Sequence, residues 1–180
     1  MAICETLKGK YIDLVVADIE DAEFTLGIRN NPELTKYIPI IEGTVENQKK
    51  WISTQRGKDF DVFFVIKKQD GEPVGTLSYY DYNKEDNACE IGRFISYGNA
   101  FENIEAILLM LDLLFERMGL TQVIMNINES NGPVISLWSR FGAVFNKEEI
   151  MTGWTSAQYI LSKDAYLLHR CSIAKLLRLL

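Results

Sequence analysis

The chain has 180 residues, 47% of them hydrophobic and 24% charged, with 19 basic against 25 acidic side chains and a formal net charge of −6. That is one domain's length with a sizeable core; the acidic balance argues against a nucleic-acid binder, and no run approaches the roughly 18 apolar residues of a membrane span. With Glu5 near the start and no apolar leader, Cys4, Cys89 and Cys171 read as reduced thiols of a cytoplasmic protein, and His169, the only histidine, leaves no metal-ligand set.

In chain order, residues 11–16 read as a first strand. Asp18 and Asp21 precede a helical stretch to Arg29 that Asn30-Asn31-Pro32 interrupts. Thr44 with Asn47 forms a capping arrangement for a second helix, with Trp51 and Ile52 on its apolar stripe. Residues 60–66 are strand-like, and the turn at 67–71 leads into a second strand at 73–80. A polar turn at 83–87 precedes a third strand at 89–95. The longest helical run is 101–118, with Ile104, Ile107, Leu108, Leu111 and Phe115 at helical spacing and Gly119 as its stop. A buried-looking strand at 123–127 then leads into a short helix beginning at Asn131.

In that short helix Asn131 is a good N-cap, Pro133 has no N–H to waste in the first turn, and Gly142 is a fitting stop. Val134, Leu137, Trp138 and Phe141 share one face. Residues 143–145 and 154–161 make a final strand pair, and 163–180 is a leucine-rich helical tail. A meander followed by strand–helix–strand predicts one domain over 1–180, a mixed α/β (α+β) sheet flanked by helices. A dinucleotide-binding Rossmann domain is excluded, because no Gly-x-Gly-x-x-Gly follows the first strand.

The segment from Asn131 to Gly142 resembles the asparagine-to-tyrosine helix of the GNAT N-acetyltransferases, with Asn131, Leu137 and Gly142 in place and Trp138 where the family usually has tyrosine. The resemblance covers about 11–161, leaving 163–180 as an extension that packs on the domain or on a second subunit, as in a homodimer. The early segments look most like the ribosomal-protein N-terminal and amino-sugar-nucleotide branches, through Ile28-Arg29-Asn30 with Pro32, Thr44 with Asn47 and Trp51, and Phe64-Val65-Ile66 leading into Gly75.

The resemblance implies acetyl-CoA as the acyl donor, no metal, and a primary amine as acceptor: an amino-sugar nucleotide, a protein or peptide N-terminus, or a small amine. It places the diphosphate of CoA at the strand-to-helix loop, where Ile95, Ser96, Gly98, Asn99, Ala100, Phe101 and Asn103 are the candidates in two alternative registers. Asn131, Ser136 and Trp138 are the cofactor-side candidates of the later helix. Glu90 resembles the family's glutamate that serves as general base through a water, against its other reading as a strand residue ion-paired with Arg93. Arg29, Trp51, Tyr79 and Tyr80 are the acceptor-side candidates, with Asp81 behind them. The indole of Trp138 cannot give up a proton at ordinary pH, so the CoA thiolate leaves unassisted or Tyr97 or Tyr159 acts. That substitution keeps a second reading open: a CoA-binding sensor or interaction module without transfer activity.

Overall fold

The computed structural model describes residues 5–39, 41–151 and 154–180, so Cys4 lies outside the described residues. Eight strands form one sheet: β1 (Leu7–Lys8), β2 (Ile12–Val16), β3 (Val62–Lys68), β4 (Pro73–Asn83), β5 (Ala88–Ser96), β6 (Gln122–Asn128), β7 (Val144–Met151) and β8 (Trp154–Ser162), in the order β1-β2-β3-β4-β5-β6-β8-β7. The helices are α1 (Ala22–Arg29), α2 (Val45–Arg56), α3 (Ala100–Asp112), α4 (Gly132–Ser139) and α5 (Lys163–Leu176). Most pairings are antiparallel and β5–β6 is parallel, which makes the sheet mixed. No described helix is long and apolar enough to cross a membrane.

The chain divides into two compact units, Met1–Asp81 with Gly92–Leu109, and Tyr82–Ile91 with Met110–Leu180. In the first, the run Val62-Phe63-Phe64-Val65-Ile66 is buried at every position, so β3 is covered on both faces. One face packs Phe63 and Val65 with Ala17, Ala22 and Ile52. The expected caps form: Asp18 and Asp21 exchange hydrogen bonds ahead of α1, and Thr44 and Asn47 do so at α2. Glu105 of α3, 1% exposed, accepts from the N–H groups of Lys10, Tyr11 and Ile12 at 2.8, 2.6 and 2.9 Å, which ties the start of β2 to that helix.

In the second unit, β6 alternates buried Val123, Met125 and Ile127 with half-exposed Ile124 and Asn126. The α4 helix is capped as its sequence predicts, with Asn131 Oδ1 accepting from the Val134 N–H at 3.4 Å and Pro133 in the first turn. Gly142 takes φ +97°, which an L side chain resists, and a Cβ there would lie 2.9 Å from His169 Nδ1.

Two expectations are corrected. The helix expected over 101–118 is α-helical only to Asp112, and Leu113–Arg117 form a π-helical turn in which the Met118 N–H reaches the Leu113 carbonyl at 2.9 Å. Leu113, Leu114 and Phe115 of this turn are all buried. The tail helix also stops at Leu176 rather than running to Leu180, with Arg178 at φ +55°.

Candidate active site

In the first unit, β5 leads from Gly92 into the loop ahead of α3. Ile95 is buried, so it offers the loop its main chain only. Ser96 Oγ donates to the Val74 carbonyl at 3.2 Å and accepts from the Gly98 N–H at 2.9 Å. Asn99 caps α3, with Oδ1 accepting from Phe101 and Glu102 N–H groups at 2.9 and 3.1 Å. Glu102 answers by accepting from the Asn99 N–H at 2.7 Å, and Asn103 Nδ2 donates to the Gly98 carbonyl at 2.9 Å. Ala100 and Phe101 are exposed on the first turn, and Asn103 Oδ1 is buried with no partner. This is the backbone that a diphosphate requires, a fan of N–H groups at a helix start. The side chains of Ser96, Asn99 and Glu102 take up those donors.

The acceptor-side candidates occupy the same unit. Arg29 donates through Nη2 to the Pro39 carbonyl at 2.5 Å, while its Nη1 is buried without a partner. Burial pulls its guanidinium below the usual arginine range. Trp51 meets Phe63 edge-on at 5.0 Å. Tyr79 is buried beside Phe64, and Tyr80 is half-buried. A Cβ at Gly92 would lie 2.2 Å from the Tyr80 hydroxyl oxygen, a close approach that only glycine permits.

Sequence reasoning missed Arg93 as a member of this group. At φ +51° it pairs with Asp61 at 2.6 and 3.4 Å. Its guanidinium carbon sits 4.2 Å from the Tyr80 ring centre and 5.3 Å from that of Trp51. Phe60 and Asp81, beside Asp61 and Tyr80, also have positive φ, so left-handed backbone conformations cluster here. No periodicity signals such a cluster; an arginine after a glycine in an apolar strand was its one trace.

The second unit carries the remaining candidates. Glu90 is half-buried on β5 and accepts a 2.8 Å hydrogen bond from Asn126 Nδ2. Its neighbour Cys89 is buried, and burial together with the Glu90 charge pushes that thiol up to about 12. In α4, Ser136 is exposed, whereas Trp138 is 2% exposed and packs against Phe141 with ring centres 6.2 Å apart. Asn131 uses Oδ1 for its cap, and its Nδ2 has no partner among the described residues. Of the alternative proton donors, Tyr97 gives its hydroxyl proton to the Pro73 carbonyl at 2.6 Å, and Tyr159 lies against Phe145.

Comparison with known proteins agrees with this strand, loop and helix sequence. A family model described as an acetyltransferase (GNAT) domain matches residues 13–144. An uncharacterised N-acetyltransferase p20 of Bacillus licheniformis is 26% identical over 163 residues, 86% of this chain and 89% of that protein. Among solved structures, apo FdhC, a nucleotide-linked sugar GNAT, superposes with a TM-score of 0.84 at 25% identity, covering 97% of this chain and 99% of that one. The spermidine N-acetyltransferase of Vibrio cholerae, in complex with CoA and spermine, shares the fold at 16% identity and a TM-score of 0.77 over 88% of this chain and 99% of that one. With the family model spanning well over half of its length, the chain belongs to the GNAT family of N-acetyltransferases, which draw their acetyl group from acetyl-CoA.

Proposed function

We propose that this protein moves the acetyl group of acetyl-CoA to a primary amine by direct attack, with Glu90 as the general base. The observation that carries this is Glu90 itself, a half-buried carboxylate on β5 oriented by Asn126. An amine is protonated at neutral pH, and a carboxylate acting through one water removes its proton. The nitrogen then bonds to the acetyl carbon as the carbon–sulfur bond breaks, the thiolate takes the electron pair, and the nitrogen loses its second proton to water to leave the neutral amide. Trp138 gives it no proton, and the Tyr97 hydroxyl is engaged with Pro73, so the thiolate leaves unassisted or takes a proton from Tyr159. When bound, acetyl-CoA supplies an activated thioester. The N–H groups of the loop at 96–103 would hold it once the side chains of Asn99 and Glu102 turn aside.

The acceptor we favour is an amino-sugar nucleotide, over a protein N-terminus or a small amine. Arg29 supports this, since its buried Nη1 has a proton to give and no partner, as an anionic diphosphate would use. FdhC, the nucleotide-linked sugar GNAT of similar fold, points the same way. The protein is read as one cytoplasmic domain. Release of free thiol from acetyl-CoA, measured against a panel of amino-sugar nucleotides, peptides and polyamines, tests the reading. Turnover should appear with an amino-sugar nucleotide and fall at least about 100-fold in Glu90→Gln, the lower end for removal of a general base. Tight CoA binding with no amine-dependent thiol from any acceptor would instead identify a sensor module.

A further inference from the structure

Glu90 does not stand alone on its sheet. The parallel register of β5 and β6 runs from Ala88–Gln122 to Glu90–Ile124, which puts Glu90 on the same face as Ile124 and Asn126. Across the next ladder Asn126 lies directly opposite Gln158 of β8. On β7 the register shifts between Phe145 and Lys147, so Lys147 stands opposite Gln158 and Asn146 is the extra residue of a bulge, from which its side chain reaches Gln158. Three hydrogen bonds join these side chains. Asn146 Nδ2 donates to Gln158 Oε1 at 2.8 Å, Gln158 Nε2 donates to Asn126 Oδ1 at 3.3 Å, and Asn126 Nδ2 donates to Glu90 Oε2 at 2.8 Å.

The direction of this chain is forced from one end. An ionised carboxylate can only accept, so Asn126 must turn its NH2 group toward Glu90. Its carbonyl then faces Gln158, which must in turn present its own NH2 and leave its carbonyl to Asn146. Reversing any amide would put two acceptors or two donors face to face. At Gln158, only 8% exposed, such a mismatch would set like groups against each other where solvent does little to screen them. Aligned dipoles strengthen one another, and their positive end rests on Glu90. Amides are also poor strand formers, and three of them on neighbouring strands contradict what packing alone would select.

We propose that Asn126, Gln158 and Asn146 are positioning residues for Glu90, an amide relay across four strands that fixes the rotation of its carboxylate. This rests on Glu90 being the base. A double-mutant cycle on the full-length chain tests it, using acetyl-CoA and an amine acceptor that supports turnover. Asn126→Ala should lower kcat about tenfold with the acceptor KM and acetyl-CoA affinity unchanged, and Gln158→Glu, which cannot donate to Asn126, should lower it by a smaller factor. In a Glu90→Gln background Asn126→Ala should cost nothing more, because residues that act through one group are not additive. Full turnover in Glu90→Gln would overturn the base. A crippled Glu90→Gln in which Asn126→Ala still costs its full factor would overturn the relay alone. A readout that needs no acceptor follows the side-chain amide NMR signals of Asn126 and Gln158. Both should move in Glu90→Leu, which removes the acceptor at the end of the chain, and an unmoved Gln158 signal would also overturn the relay.

Discussion

At the entrance to α3 the exposed Asn99 and the buried Glu102 cap the loop proposed to receive the CoA diphosphate. The carboxylate of Glu102 sits on the positive end of the helix dipole, the place an incoming phosphate would take. Glu102→Gln keeps a hydrogen-bond acceptor there and removes the charge. It should therefore tighten acetyl-CoA binding about threefold to tenfold, while loss of the charged cap lowers stability by about 0.5–1 kcal/mol. Calorimetric titration decides this: unchanged or weaker binding in Glu102→Gln would mean that the carboxylate does not compete with the ligand. Asn99 as the cap was readable from its place before an apolar-periodic run. The role of Glu102 was not, since a glutamate at the third helical position is an ordinary first-turn residue until its partner is seen.

Among the elements, α5 depends on one contact set. The Tyr166 hydroxyl donates to Asp112 Oδ1 at 2.7 Å, and Arg170 meets both Asp112 oxygens at 2.6 and 2.8 Å. Tyr166 is fully buried, and burial with the nearby carboxylate pushes its phenol well above the usual range. The Arg170 side chain is 40% exposed, so solvent screens most of the worth of its ion pair. The expected order of destabilisation is Asp112→Ala at about 2–4 kcal/mol, Tyr166→Phe at about 1–2, and Arg170→Ala below about 1. Urea denaturation of the three variants checks the order, and an Arg170→Ala loss equal to that of Asp112→Ala would contradict it. The helix itself was legible in its leucine spacing. Its anchor was not, because Asp112 lies at the last α-helical position before the π-helical turn, and the facing of that stretch follows from which residues the core accepts.

Over the whole molecule, two buried acids set the behaviour in alkali. Cys89 is held near 12 against an ordinary value of 9.0, so between those limits the unfolded chain loses a proton that the folded chain keeps. The stability it contributes is present in full below about pH 9 and is lost as pH rises toward 12, at about 1.4 kcal/mol per pH unit. Tyr166, also raised, adds loss in the same direction above its ordinary value of 10.0. Denaturant midpoints measured from pH 7 to 11 should fall above pH 9, with a shallower slope in Cys89→Ala; an unaltered slope would show that the thiol is not the titrating group.

By itself the sequence determined the succession of strands and helices and the capped helix from Asn131 to Gly142. These follow from local rules: side-chain period, turn chemistry, and the few residue types that end a helix. It also marked Glu90, through a resemblance of family pattern. Only the tertiary structure decided that Arg93 pairs with Asp61, that Trp138 is buried, and that Asn126, Gln158 and Asn146 point in series at Glu90. The amide series depends on strand register and on a bulge, which bring residues far apart in sequence together on one face. A shift of one residue would turn every one of these side chains to the opposite face.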